Sequence, residues 1–172
     1  MKKVIVIIAV LYAAFVVGCA STPPASDMMA NAKNNAPAGA LVGQATGSTE
    51  QLANEDAKYQ LARAMSFIVK DTVDAAVAAG VLQSAPAETF RQGVNTALGR
   101  INLSAAVKQG SGVGSGKVYW AVYSMEKAEV IKVINQAVNA SKQANPAASA
   151  FTIDKWIDQA YATHSAREWK KN

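Results

Sequence analysis

Hydrophobic positions along this chain change their pattern twice. After Lys2 and Lys3 the residues from Val4 to Val17 are apolar without a break, residues 20–40 show no regular period, and from Leu41 onward apolar positions recur at the spacings of strands and helices. The run "ALVGQATGS", residues 40–48, is short, apolar and punctuated by Gly43 and Gly47, which predicts a first strand. Ser48 with Gln51 three residues later has the form of a capping box. Leu61, Met65, Ile68, Thr72, Ala76 and Ala79 then recur every three or four residues, with Arg63, Lys70 and Asp74 off that stripe. This is the pattern of a long amphipathic helix, and Gly80 is placed to terminate it. In "SAPAETFRQGVNTALGR", residues 84–100, Ser84 can cap a second helix with Pro86 in its first turn, and Phe90, Val94, Ala97, Leu98 and Ile101 form its stripe.

Two short runs follow, "LSAAVKQ" at 103–109 and "KVYWAVYSM" at 117–125, the second rich in the β-branched and aromatic residues that suit strands. Ser124 is placed to cap another helix, in which Val130, Ile131, Val133, Ile134, Ala137 and Val138 give a broad apolar face. "QANPAAS" breaks it, and Thr152 caps a last amphipathic segment carrying Ile153, Trp156, Ile157, Ala160 and Tyr161. The order of elements predicts an α+β domain. A small three-stranded, mostly antiparallel sheet is packed on one face by a long helix and two or three shorter ones.

Between the two later runs lies "KQGSGVGSGKVYWAV", residues 108–122, with four glycines and then a lysine. A phosphate-cradling loop of the Walker type needs glycine, four residues and Gly-Lys-Ser/Thr, leading into a helix. Here Ser111 stands at the position of the first glycine and Val118 at that of the hydroxyl. The dinucleotide pattern fails because Lys117 occupies the place of its third glycine. A strand follows instead of a helix, so no helix N-terminus is aimed at the loop. The stretch reads as the connection of a β-hairpin.

The N-terminal pattern gives an address. A basic start, an apolar core and an exit through Gly18 and Cys19 describe a secretory signal, and the apolar run is shorter than the ~20 residues that span a bilayer as a helix. Val16-Val17-Gly18-Cys19 resembles the lipobox of bacterial lipoproteins. That resemblance implies cleavage before Cys19, lipid on its thiol and acylation of the new amino terminus. Ala20 after the cysteine implies the outer membrane. Cys19 is the only cysteine, so no internal disulfide can form in an exported chain. Several acyl chains hold a protein on a bilayer far better than one. Residues 20–40, rich in Ala, Ser, Asn and Pro, predict a mobile tether of ~20 residues that would span roughly 25 Å.

Charge changes the picture little. Removing residues 1–18 from 172 leaves 154, and the net charge of +5 falls to +3, because Lys2 and Lys3 leave with no acidic residue. The sequence pI of about 9.4 therefore overstates the mature chain. Basic residues are scattered, apart from Arg167, Lys170 and Lys171 at the tail. Nucleic-acid binding would need a basic stripe interleaved with aromatics, and none is present. The expected organisation is a signal peptide at 1–18, an acylated cysteine and tether at 19–40, a domain at 41–143 and a C-terminal amphipathic helix with a basic tail at 144–172.

"VGQATGS", then Ala57, Leu61, Ala62 and Arg63 opening a long helix, then a hairpin ending in "GKVYWAVYSMEKAEV", resembles the LPP-twenty family of bacterial lipoproteins. The resemblance covers roughly Leu41 to Ala140 together with the lipobox, on motifs of small and apolar residues. Members are twenty-kilodalton envelope proteins whose domain is also similar to part of the flagellar-associated outer-membrane protein T. They have no established enzymatic role. The resemblance implies a surface or periplasmic interaction module, sometimes linked to flagella.

Candidate chemistry is sparse. Ser124-Met-Glu-Lys127 matches S-x-x-K, in which a desolvated lysine at helical spacing activates a serine, but the companion S-D-N and K-T-G motifs do not follow. Acidic pairs at Asp71/Asp74, Glu126/Glu129 and Asp154/Asp158 have helical spacing and read as solvated faces or dipole partners, and Glu55/Asp56 as a solvated pair. His164 is the only histidine and, with one cysteine, offers no metal site. No cofactor or metal is expected. In the aromatic strand, alternation puts Trp120 on one face and Tyr119 and Tyr123 on the other. One face must seal the core, and Tyr119 with Tyr123 is a candidate partner contact, the alternative being tyrosines across the sheet exterior or under a terminal helix. The leading expectation is a lipid-anchored, non-catalytic envelope module. It would be held to the membrane by acyl chains on Cys19 and would touch other envelope or flagellar proteins, or itself through a strand edge. The alternatives are a small apolar pocket for a lipid or cell-wall fragment, and a serine acyl enzyme using Ser124 and Lys127.

Overall fold

The computed structural model describes residues 22–144 and 154–169. The expected signal segment, Cys19, the expected break at residues 145–149, Thr152, Ile153, Lys170 and Lys171 lie outside them. In chain order the elements are α1 (Ala25–Lys33), β1 (Leu41–Gly47), α2 (Glu50–Ala78), α3 (Ser84–Leu98), β2 (Val107–Gly114), a three-residue turn (Ser115–Lys117), β3 (Val118–Met125), α4 (Lys127–Ala144) and α5 (Asp154–Trp169). The strands form one antiparallel sheet in the order β1-β3-β2, with Leu41 opposite Met125 and Gly47 opposite Tyr119 across the first pair. The architecture is the expected α+β.

α2 covers the inner sheet face because its apolar positions keep to one stripe. Ala53, Ala57, Leu61, Met65, Ile68, Val69, Thr72, Val73 and Ala76 are all buried, whereas Arg63, Lys70 and Asp74 are exposed. The buried Thr72 hydroxyl donates to the Ile68 carbonyl at 2.7 Å, so burial leaves no orphaned donor there. The helix starts one residue later than the sequence suggests. Thr49 is the cap, its Oγ1 accepting from the Leu52 amide at 3.2 Å, while the Gln51 side chain bonds Glu55. Gly80, at φ +71°, ends the helix in the left-handed region open to glycine. In α3, Ser84 is the first helical residue and not the cap, a role that falls to Gln83 without a side-chain bond. Phe90, Val94 and Leu98 face the core, and α4 packs on α3 while α5 packs on α2.

The glycine-rich stretch forms the expected hairpin, but most of its glycines lie inside β2 and not in the turn. The turn uses Gly116 (φ +71°) and Lys117 (φ +60°). Gly110, Gly112 and Gly114 share the outer sheet face, where a Cβ would strike the Trp120 ring, the Trp120 indole nitrogen or the backbone of Ala25. They make a flat bed for the Trp120 side chain and for a helix laid across it.

That helix is α1, and it corrects the expectation of a mobile tether from residue 20 to residue 40. Ala25, Met28, Met29 and Ala32 fall at i, i+3, i+4 and i+7, and they pack on Trp120, Val122 and Val42 as a second small core. The sheet therefore carries helices on its inner face, as expected, and one short helix on its outer face. The chain is tied down as early as Pro23, whose carbonyl accepts the Ser115 amide at 3.0 Å.

Candidate functional site: a groove beside the long helix

The sequence-derived candidates are scattered by the fold. Ser124 belongs to β3 and not to a helix cap, because the strand continues through Met125 and α4 begins only at Lys127. Its buried Oγ accepts from Gln109 Nε2 at 2.7 Å. Gln109 sits at the β2 bulge between Lys108 and Gly110, which gives its side chain this reach. Lys127 pairs instead with Asp158 at 2.7 Å and lies over the Tyr161 ring at 5.6 Å. Serine and lysine thus share no helix face, and their distinct partners fix them apart.

Tyr119 and Tyr123 stand on the inner face, beneath α2. Tyr123 is only 7 % exposed. Its hydroxyl donates to Asn54 Oδ1 at 3.0 Å, and Asn54 Nδ2 donates onward to the Glu50 carbonyl at 2.8 Å. Lys58 and Lys108 lie 5.2 and 5.8 Å from its ring centre. Tyr119 is partly buried against the same core. The expected partner patch on these two tyrosines is therefore corrected: the α2 stripe needs an apolar floor, and their rings supply part of it. His164 is buried on α5 and stacks on Phe67 at 6.1 Å. Among the described residues no group of three or more His, Cys, Asp or Glu could hold a metal.

Among the described residues an open groove lies on the flank of α2, while at Gly43 the sheet and helix backbones come too close for a side chain. A groove of about 620 Å³ runs between α2 and the connection from α3 to β2. Leu98, Ile101, Leu103 and Ala62 give it an apolar floor, with Lys58, Arg63, Glu55 and Asn95 around it. Tyr59 stands at its edge, 65 % exposed. Glu55 is the one carboxylate among the described lining residues, against two cations, so the groove favours partially anionic or carbonyl-rich groups. Ser66 donates its hydroxyl to the Ala62 carbonyl at 3.2 Å, which occupies the donor it could offer a ligand. An aromatic edge, amide donors and a long open shape suit an extended chain laid along the helix.

The sequence singles out Arg63 as a polar position and as part of the family resemblance, not as part of a groove. The further signal was Tyr59-Arg63-Phe67, large side chains every fourth residue and out of phase with the buried stripe; Arg63 stacks over Phe67 at 5.7 Å. The helix that follows β3 begins at Lys127 without Ser124 as its cap, and several of the carboxylates pair with cations: Asp74 with Lys70, Glu129 with Lys132, and Glu88 with Arg91, which also reaches Asp74 across α3 and α2.

Burial pushes the Tyr161 hydroxyl above the usual tyrosine range, opposed by a backbone hydrogen bond at Leu41. The same hydroxyl donates to the Gly39 carbonyl at 2.7 Å and so ties α5 to the start of β1. No described helix is long and apolar enough to cross a membrane. Compared with protein-family models, with curated proteins and with solved structures, the chain matches none.

Proposed function

We propose that this protein is a lipid-anchored lipoprotein of the bacterial outer membrane that works by contact and not by catalysis. Acyl chains on Cys19 hold it to the leaflet, and the groove beside α2 receives an extended segment of another envelope or flagellar protein, or of a second copy. The observation that carries this reading is Val16-Val17-Gly18-Cys19 at the end of a basic-then-apolar leader, with the chain's only cysteine in the acceptor position. A lone thiol in an oxidising compartment is a liability unless it is consumed, and acylation consumes it. The scattering of Ser124 and Lys127 supports a non-catalytic role, since a serine needs its base within hydrogen-bond reach. The groove's mix of apolar floor, cations and an exposed tyrosine supports contact with a chain.

Metabolic labelling with a fatty acid in a lipoprotein-processing host tests the anchor. Wild type takes up the label and Cys19→Ala does not; an unlabelled wild type overturns the proposal.

A further inference from the structure

We infer that the domain rests on the bilayer by the end of the sheet that carries the β2–β3 turn, with Val113, Val118 and Lys117 at headgroup level. This orientation rests on the lipid anchor proposed above. The first argument is reach. The Pro23 carbonyl holds the Ser115 amide at 3.0 Å, and Ala25 lies against Gly114, so the chain leaves the folded domain at the turn itself. Only three residues separate Cys19 from Pro23, four backbone steps that fully extended span at most about 14 Å. The polar layer of one leaflet takes up about 5–8 Å of that distance. A turn tethered so closely cannot stand clear of the surface, whereas a 20-residue coil would have let the domain float.

The second argument is what that end displays. Val113 is 42 % exposed and Val118 38 %, on opposite sides of the turn, and Leu52 is 45 % exposed. Leu52 belongs to the same end, because Gly47 pairs with Tyr119 and a Cβ at Gly47 would lie 3.1 Å from that of Leu52. Lys117 sits exposed between the valines and offers an ammonium to lipid phosphates. Asp27 and Glu50, in the first turns of α1 and α2, stand at this end too and offset that charge. The aliphatic side chains therefore carry the contact, entering the boundary between headgroups and acyl chains. The occupant is a lipid surface, since the anchor delivers one to this end before any partner arrives.

The far end of α2 gives an internal reference. Its 29 residues span about 43 Å at 1.5 Å per residue, which puts exposed Val81 well away from the turn. The acylated full-length protein is purified as Val118→Cys and as Val81→Cys, spin-labelled, and placed in vesicles of phosphatidylethanolamine and phosphatidylglycerol. Acylation leaves the introduced thiol as the labelling site. Access of a water-soluble paramagnetic reagent is then expected to be several-fold lower at position 118 than at position 81, with oxygen access higher. Equal access at both positions in a protein whose mass shows its acyl chains overturns the orientation alone. A protein whose mass lacks acyl chains overturns the anchor, and the orientation with it. Protection at 118 that persists in non-acylated Cys19→Ala protein, free of vesicles and detergent, means a second copy covers the turn, and also overturns the inference.

Discussion

Adding one methyl group at Gly114 tests whether α1 is a docked part of the fold. An ideal Cβ there would lie 2.5 Å from the Ala25 amide nitrogen and 2.8 Å from its Cα, both backbone atoms that no rotamer change can move aside. Gly114→Ala must therefore either strain the end of β2 or lift α1 from the sheet. Overpacking of this kind costs about 1–3 kcal/mol. Lifting α1 instead uncovers Trp120 and Val122, and losing the burial of one large side chain costs about 1.5–3 kcal/mol. The two routes converge, and α1 at nine residues is too short to persist once undocked. For a chain of this size each kcal/mol lowers the melting temperature by about 2–4 °C, so a fall of roughly 3–10 °C is expected. Hydrogen exchange read by mass spectrometry should show amides 25–33 losing protection together. Gly116→Ala is the control: nothing lies within 4 Å of its Cβ, so it suffers only left-handed strain of about 1–2 kcal/mol and leaves α1 protected. Wild-type protection at 25–33 in Gly114→Ala would refute the docking.

Gly43→Ala should do more damage, because its Cβ would press on the Ala57 carbonyl oxygen and stand 2.9 Å from Leu61 Cγ at the centre of the sheet–helix contact. A loss of about 3 kcal/mol is expected in urea unfolding, and a wild-type midpoint would contradict the packing described. Tyr161 makes a pH prediction. Its hydroxyl titrates later in the folded protein than in the unfolded chain, so rising pH removes the unfolded chain's proton first. Its contribution is thus complete below about pH 10 and lost as pH climbs through the folded value. Tyr161→Phe gives up the bond to Gly39, about 1 kcal/mol at neutral pH, and should show a shallower alkaline fall in urea midpoint than wild type. An equally steep fall in both proteins would refute the assignment.

What was legible in the sequence followed from period. The α2 stripe from Leu61 to Ala76 is regular enough that burial could be read residue by residue, and β1 and β3 followed from short runs of strand-forming residues, whereas β2 lies at Val107–Gly114 and not over the apolar run 103–109. Element ends were less legible. Thr49 and Ser48 are chemically interchangeable as caps, and only the strand's length decides between them. Ser124 looked like a cap because a helix follows, yet β3 runs on to Met125 and buries the serine under the Gln109 amide. α1 escaped for a different reason. Its i, i+3, i+4, i+7 pattern is present, but alanine and methionine among Asn, Ser and Pro bury too little to stand alone. Its stability is tertiary and comes from Trp120, some 90 residues away in sequence. The groove was hidden for a similar reason: its two walls, on α2 and after α3, meet only once the chain has folded.

The alternating glycines show why a local reading misled. Glycine weakens an isolated strand, so "GSGVGSG" argues for a loop. In the sheet the same residues clear one face of side chains, and the Trp120 ring and α1 fill the space. That layer is the thinner one: it holds four buried residues, and the indole nitrogen of Trp120 is buried without a hydrogen-bond partner. A buried donor left unpaired costs about 1–3 kcal/mol, so this face should yield before the core around Phe90 and Leu61 does. Given the proposed lipid anchor, the consequence reaches the membrane. While α1 is docked, at most about 14 Å of chain joins Cys19 to the turn. With α1 released, residues 19–40 become a coil reaching roughly 25 Å, and the turn is freed from the surface. Gly114→Ala carrying a spin label at Val118→Cys should therefore lose its lipid protection while keeping its acyl chains. If that protection survives although amides 25–33 exchange freely, the short tether is not what holds the turn to the bilayer.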